Sequence, residues 1–304
     1  MRKKMFKKGM AVFISALTVL TTICVPAAAD SIADKPYLAL GADLKEDEKT
    51  KVLELLDVKE EDLENYTVVT VTNADEHKYL DAYLSASVIG SRALSSVKVI
   101  EKESGNGLQV TTKNITYCTK VMYQNALATA GLKDADITVA GPFNISGTAA
   151  LVGAMEAYSK MTGKTLDSDN VDTATDELVT TSQIAEEIGD QDKAEELIGA
   201  VKNAVVAEEI KNPEKIEEKI EETADKLEVT LTDDQIQQIR LLMEKISKLD
   251  LNIDSLKEQA KGLYDKLSKL DVDLNINQKE VDGFFAQIGS WFEGLWKQIK
   301  SWFE

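Results

Sequence analysis

Histidine occurs once and cysteine twice in 304 residues, and that scarcity removes several chemistries. One imidazole and one thiol outside the leader cannot fill a histidine-rich zinc site. His77 lies between Glu76 and Lys78 in the first turn of an expected helix, an ordinary helix start. A Ser-His-Asp set would have to join it to Ser146 and a distant aspartate, and Ser146 lacks the G-x-S-x-G elbow. Cys24 falls in the leader, with Ile23 before it where a lipid-attachment box needs a small residue. Cys118 is then alone, so no internal disulfide can form, and it reads as a small buried hydrophobe. Basic residues are also short, 35 against 53 acids. Loss of the leader's five basic residues takes the formal charge from −18 to −23. That excludes nucleic acid as a principal partner, because phosphate contacts need clustered Lys and Arg. Gly141 and Gly147 do not make G-x-G-x-x-G, and there is no P-loop lysine. No cofactor is expected. Beyond Val25 no apolar run is long enough to span a bilayer.

What is present begins with an address. Arg2, Lys3, Lys4, Lys7 and Lys8 precede an apolar stretch from Met10 to Val25 and the small residues Ala27, Ala28 and Ala29. This is the pattern of a secretory signal over 1–29. Residues 30–164 then alternate between strand and helix patterns in the order βαβαββαβα, a mixed sheet of about five strands. Tyr37 to Leu40 and the β-branched Tyr66 to Thr72 are strands. NADEHKYLDAYL (73–84) is a helix capped by Thr72 or Asn73, with Glu76 in the capping-box position. Leu94 to Glu103 and Leu108 to Ile115 flank Ser104-Gly105-Asn106-Gly107, a hairpin signal. At the centre of the unit, a buried strand (Ile137 to Ala140) leads through a Gly-Pro loop to a helix capped by Ser146. Backbone N–H groups at such a helix start can hold an anion, so Ser146, Gly147 and Thr148 are the candidate ligand-binding residues.

A linker is expected at 165–175, followed by an acidic helical region over 176–278. Ala194, Leu197, Ile198, Val201 and Val205 share one helical face. Pro213 and the LTDDQ segment (231–235) start further helices. From Ile239 to Leu274 apolar residues fall alternately three and four apart, a heptad seam. KLDLNID (248–254) and KLDVDLNIN (269–277) interrupt it and are places where the helix can bend or break. Asp271, Asp273, Asn275 and Asp282 match ligand positions of a calcium loop. Ile276 stands where that loop needs glycine, so no metal site is expected there. The last segment, 279–304, is an amphipathic helix. Phe284, Phe285, Trp291, Phe292, Trp296, Trp302 and Phe303 fall on one face, and the chain's three tryptophans are all here. A membrane surface or an envelope protein is the expected partner of that face.

LGADLKEDEK, VTNADEHKYL, IGSRALSS, ITYCT, AGPFNISGTAAL and the helical LTDDQIQQIRLLMEKISKLDLNIDSLKEQAKGLYDKL together resemble the YpuA-like family of uncharacterised exported proteins of Gram-positive Firmicutes. The resemblance spans nearly all of the chain after the leader. It implies an extracytoplasmic protein and brings no activity, substrate or catalytic residue. The residues and the resemblance point to a non-enzymatic cell-envelope protein. It is expected to be secreted or extracytoplasmic, peripheral at the outer face of the cytoplasmic membrane or in the cell wall. The alternative is a secreted, hydrolase-like enzyme with a site near Gly141–Thr148.

Overall fold

A computed structural model describes residues 35–163 and 165–251. The leader, the heptad positions past Leu251, the calcium-like set Asp271, Asp273, Asn275 and Asp282, and the aromatic segment 279–304 lie outside the described residues. Five strands form one mixed sheet: β1 (Tyr37–Gly41), β2 (Thr67–Val71), β3 (Ser96–Glu101), β4 (Leu108–Ile115) and β5 (Ala135–Ile145). Their order is β2-β1-β3-β5-β4. β1 runs parallel to β2 and β5 to β4, while the β1/β3 and β3/β5 pairs are antiparallel.

Two expectations fail here. β3 and β4 do not pair as a hairpin, because β5 lies between them. Ala135, Ile137, Val139 and Ala140 of β5 are all buried, and such a strand needs a neighbour on each edge as well as cover on each face. The Ser104–Gly107 stretch therefore crosses the start of β5. The Asp134 carboxylate holds it there, accepting from the N–H groups of Gly105 (3.0 Å) and Gly107 (2.8 Å). Nor is Gly141–Ile145 a free loop. It prolongs β5 beyond a bulge, where the pairing jumps from Lys113↔Ala140 to Ile115↔Ile145. Pro142, which has no N–H to donate, is tolerated in that interruption of the ladder. The Asn114 amide donates to Gly141 O across it at 3.0 Å.

Helices cover the sheet unequally. α1 (Glu46–Leu55) packs on one face, where Val52, Leu53 and Leu56 meet Leu38, Leu40 and Ala140. The other face carries α2 (Asn73–Leu80), the short α3 (Ala86–Ile89), α4 (Lys120–Thr129) and α5 (Thr148–Thr162). α5 lies close on the strands because Gly153 has no side chain. A Cβ there would stand 2.8 Å from the Ala39 Cβ.

The rest of the described chain is helical: α6 (Ser168–Ile188), α7 (Gln191–Ala207), α8 (Pro213–Lys226) and α9 (Asp233–Ile246). Most of the expected linker is helix. The Asp167 carboxylate accepts from the N–H groups of Asp169 (2.8 Å) and Asn170, starting α6 at Ser168. Thr173, Ala174 and Thr175 are buried two turns later. α6 serves two cores. Ala174, Leu178 and Val179 join the sheet unit, and Ile184 and Ala185 join α7, α8 and α9. The apolar face expected on α7, from Ala194 to Val205, is buried. Pro213 opens α8, and Thr232 caps α9 with Gln235 closing a capping box. α9 stops at Ile246, two residues before the first insert in the heptad. Among the described residues no helix is long and apolar enough to cross a membrane.

Candidate functional site

β5 delivers the chain to the start of α5, and the cap there differs from the expected one. Gly147 is the N-cap, with φ +100 and no side-chain cap of its own. Ser146 is still part of the approach, because β5 runs on to Ile145. Its hydroxyl lies 3.2 Å from that of Thr148. Ser95, just before β3, does the capping from outside: its Oγ accepts from Ala150 N–H at 2.9 Å. The Tyr123 hydroxyl donates to Gly147 O at 2.5 Å. A Cβ on Gly147 would stand 2.6 Å from that hydroxyl.

Thr148 Oγ1 donates to Glu76 Oε1 at 2.7 Å, and the Asn73 amide donates to Glu76 Oε2 at 3.2 Å. This carboxylate was not expected inside. The sequence allowed a cap at Thr72 or Asn73, and the structure uses Thr72, with Asp75 as the capping-box acid. Glu76 is then one position, about 100°, past the cap acid. That turn carries it onto the inward face with Leu80, and it is 1 % exposed. The i, i+4 spacing of Glu76 and Leu80 was the available signal. Burial raises the Glu76 pKa, opposed by the hydrogen bonds from Thr148 and Asn73 and by His77, with Asp43 adding to the rise.

Because the folded state holds this proton more tightly, its stabilising effect is full below the unfolded value near 4.5. It is lost as pH rises through the raised folded value. The stability of the wild type relative to Glu76→Gln should therefore fall as pH rises above 4.5. Urea unfolding of both proteins across that range measures it; a constant or rising difference contradicts the burial argument.

Ser146 and Thr148 edge a cleft of about 400 Å³ whose wall also includes Ser87, Ser95, Thr116 and Tyr117. Arg92 is the cation in its lining, and it is already engaged. Its guanidinium donates to Glu48 at 2.6 and 3.3 Å and to Asp43 O at 2.7 Å. The Arg92 hydrogen bond holds the Glu48 carboxyl below its usual range. Thr148, Ser95 and Thr116 are also hydrogen-bonded, to Glu76, Ala150 N–H and Ile145 O, and Val88, Ile89, Leu94 and Ile145 supply an apolar part of the lining; a hydroxyl oxygen can still accept a further bond.

The other candidates are accounted for separately. His77 Nδ1 meets Asp81 Oδ1 at 2.5 Å along α2, so its ring is paired within its own helix. Cys118 is fully buried, and burial pushes its thiol up to about 12, opposed by the Tyr123 hydroxyl. A thiol of that pKa is not a nucleophile at neutral pH. Among the described residues no group of three or more His, Cys, Asp or Glu is placed to hold a metal ion.

Residues 40–263 match the family described as "Protein of unknown function (DUF1002)". The chain belongs to this family. It is also 39% identical over 254 residues to "Uncharacterized protein YpuA" of Bacillus subtilis (strain 168), covering 83% of this chain and 86% of that one. No solved structure matches it. In this DUF1002 member the matched span takes in the end of β1, β2 to β5 and α1 to α9, so the cleft and the helical layer both belong to the family region.

Proposed function

We propose that this protein is an exported, non-enzymatic component of the cell envelope. In this reading it binds a polar ligand in the hydroxyl-lined cleft, and its C-terminal segment attaches it peripherally to a membrane. The observation that carries binding over catalysis is the enclosure of Glu76. A general acid or base must come within hydrogen-bond reach of its substrate. The carboxyl beneath the Ser146–Thr148 edge is 1 % exposed and closed in by Thr148 and Asn73. Enclosed in this way, the carboxyl is out of reach of a substrate at Gly141–Thr148. Serine and threonine hydroxyls with backbone groups fix the orientation of a polar ligand, and a hydroxyl becomes a nucleophile only with an activating base beside it. Export is supported by the basic and apolar leader ending at Ala29.

Attachment is supported by the eleven large apolar residues that share one face of 279–304 when it is read as a helix. Each is worth roughly 1.5–3 kcal/mol when fully removed from water. The segment has three lysines against four acids, so its attraction to lipid is mainly hydrophobic and weakly dependent on salt. The leaderless protein should sediment with phosphatidylglycerol vesicles and lose that property when 279–304 are deleted. Trp291, Trp296 and Trp302 report on this segment alone. Emission already blue-shifted in dilute monomer and unchanged by vesicles would contradict attachment.

A further inference from the structure

A second cavity lies beside the other half of α5, away from the Ser146 cleft. It holds about 610 Å³ between α2, α5 and the start of α6, within the 300–1,000 Å³ typical of small-molecule sites. Its inner wall is apolar: Val152 and Met155 of α5 are buried, and Leu166 and Val171 complete the wall. At the mouth stand two exposed lysines from different helices, Lys78 of α2 and Lys160 in the last turn of α5. Lys49, Lys51, Arg92, Lys102, Lys202, Lys219, Arg240 and Lys245 are all in ion pairs. Neither Lys78 nor Lys160 makes an ion pair with a described residue. Lys78 rests over the Tyr79 ring, 4.8 Å from its centroid.

We propose that this cavity binds a single-chain amphiphile, its alkyl chain against Val152, Met155, Leu166 and Val171 and its anionic head between Lys78 and Lys160. This goes beyond the cleft reading and does not depend on it. An alkyl chain matches the apolar wall, and an anionic head supplies the ion pair that neither lysine makes with a described residue. Glu156 also lines the mouth. Burial raises its pKa, with Asp75 adding and Lys160 and Lys78 opposing. It is the resident anion a charged head must displace. Asp172, the other acid of the lining, is drawn towards Lys245 of α9 at 3.8 Å. The lysines and Glu156 should therefore act on affinity with opposite signs.

Dansyl-undecanoate, kept below its micelle concentration, is the probe, titrated into the full chain by fluorescence. Its methyl ester is the neutral control. Carrying the Lys78→Glu and Lys160→Glu changes together should weaken carboxylate binding about tenfold or more, the order of 1.4 kcal/mol. The conservative Glu156→Gln should tighten it about threefold, as loss of one competing charge near the surface implies. Displacement by oleate against displacement by lysophosphatidylglycerol distinguishes a free acid from a lipid head. Equal affinity for acid and ester overturns the proposal. So does binding that survives the lysine reversal, which would place the probe on the apolar 279–304 segment, or a Glu156→Gln protein, folded by circular dichroism, that binds no better than wild type.

Discussion

Lys202→Met is expected to cost about 3–5 kcal/mol of folding stability, the range for removing one partner of a buried ion pair. Lys202 of α7 has no exposed surface, and Glu177 of α6, 2.7 Å away, is nearly as buried. The ammonium also donates to Asn125 O (3.2 Å) and Thr129 Oγ1 (3.3 Å) on α4, and the Thr129 hydroxyl donates to Glu177 Oε2 at 2.5 Å. Three helices are thus joined by one buried polar network. Burial lowers the Lys202 pKa, and the adjacent Glu177 opposes that shift. Taking the lysine away strands a carboxylate in the interior. Replacing both ends, as Lys202→Met with Glu177→Leu, should recover most of the loss, because apolar groups of similar size often match a buried pair. Urea midpoints of the single and double variants measure this. A single variant within 1 kcal/mol of wild type, a threshold set by the surface-pair range, would mean that the network does not fasten the helical layer to the sheet unit.

Gly147→Ala should be the most damaging small substitution near the cleft, at about 2–5 kcal/mol. Two costs combine: a left-handed conformation for a residue with a Cβ, about 1–2 kcal/mol, and overpacking, about 1–3 kcal/mol. The φ of +100 makes the first unavoidable. The second follows from the Tyr123 hydroxyl at 2.6 Å and the Ile115 Cγ2 at 2.7 Å. Tyr123 cannot withdraw cheaply, since its hydroxyl is buried and bonded to Gly147 O. Tyr123→Phe in the Gly147→Ala background should relieve part of the clash, and thermal unfolding of the pair tests that. A Gly147→Ala protein as stable as wild type would show that the turn has room to relax.

Caps and strands that a short stretch decides alone were legible, and pairings that depend on distant partners were not. Thr72 and, in the LTDDQ segment, Thr232 cap helices because a short side-chain oxygen before a periodic stretch satisfies free N–H groups with no outside help. The strands were legible from runs such as TVVTV. Their order was not: whether β4 pairs with β3 or yields to β5 depends on Asp134 reaching back to Gly105 and Gly107. Ser146 looked like a cap until β5 ran past Gly141. Glu76 hung on a one-residue choice of cap. TATDELVTT (173–181) read as linker and polar helix, yet threonines are small enough to bury with their hydroxyls returned to the backbone, as Thr175 and Thr181 do to Val171 O and Glu177 O. VKNAVV (201–206) gave no hint that Lys202 points inward, since its partners lie on two other helices. The candidate site was legible as a place, the start of α5, and not as a geometry.

The most direct measurement is fractionation of a Gram-positive host producing the full chain, with N-terminal sequencing of the product. An exported envelope protein should appear outside the cytoplasm with Asp30 as its first residue. It should reside in the membrane fraction and move to the soluble extracytoplasmic fraction when residues 279–304 are deleted. Unprocessed chain beginning at Met1 and confined to the cytosol would contradict it.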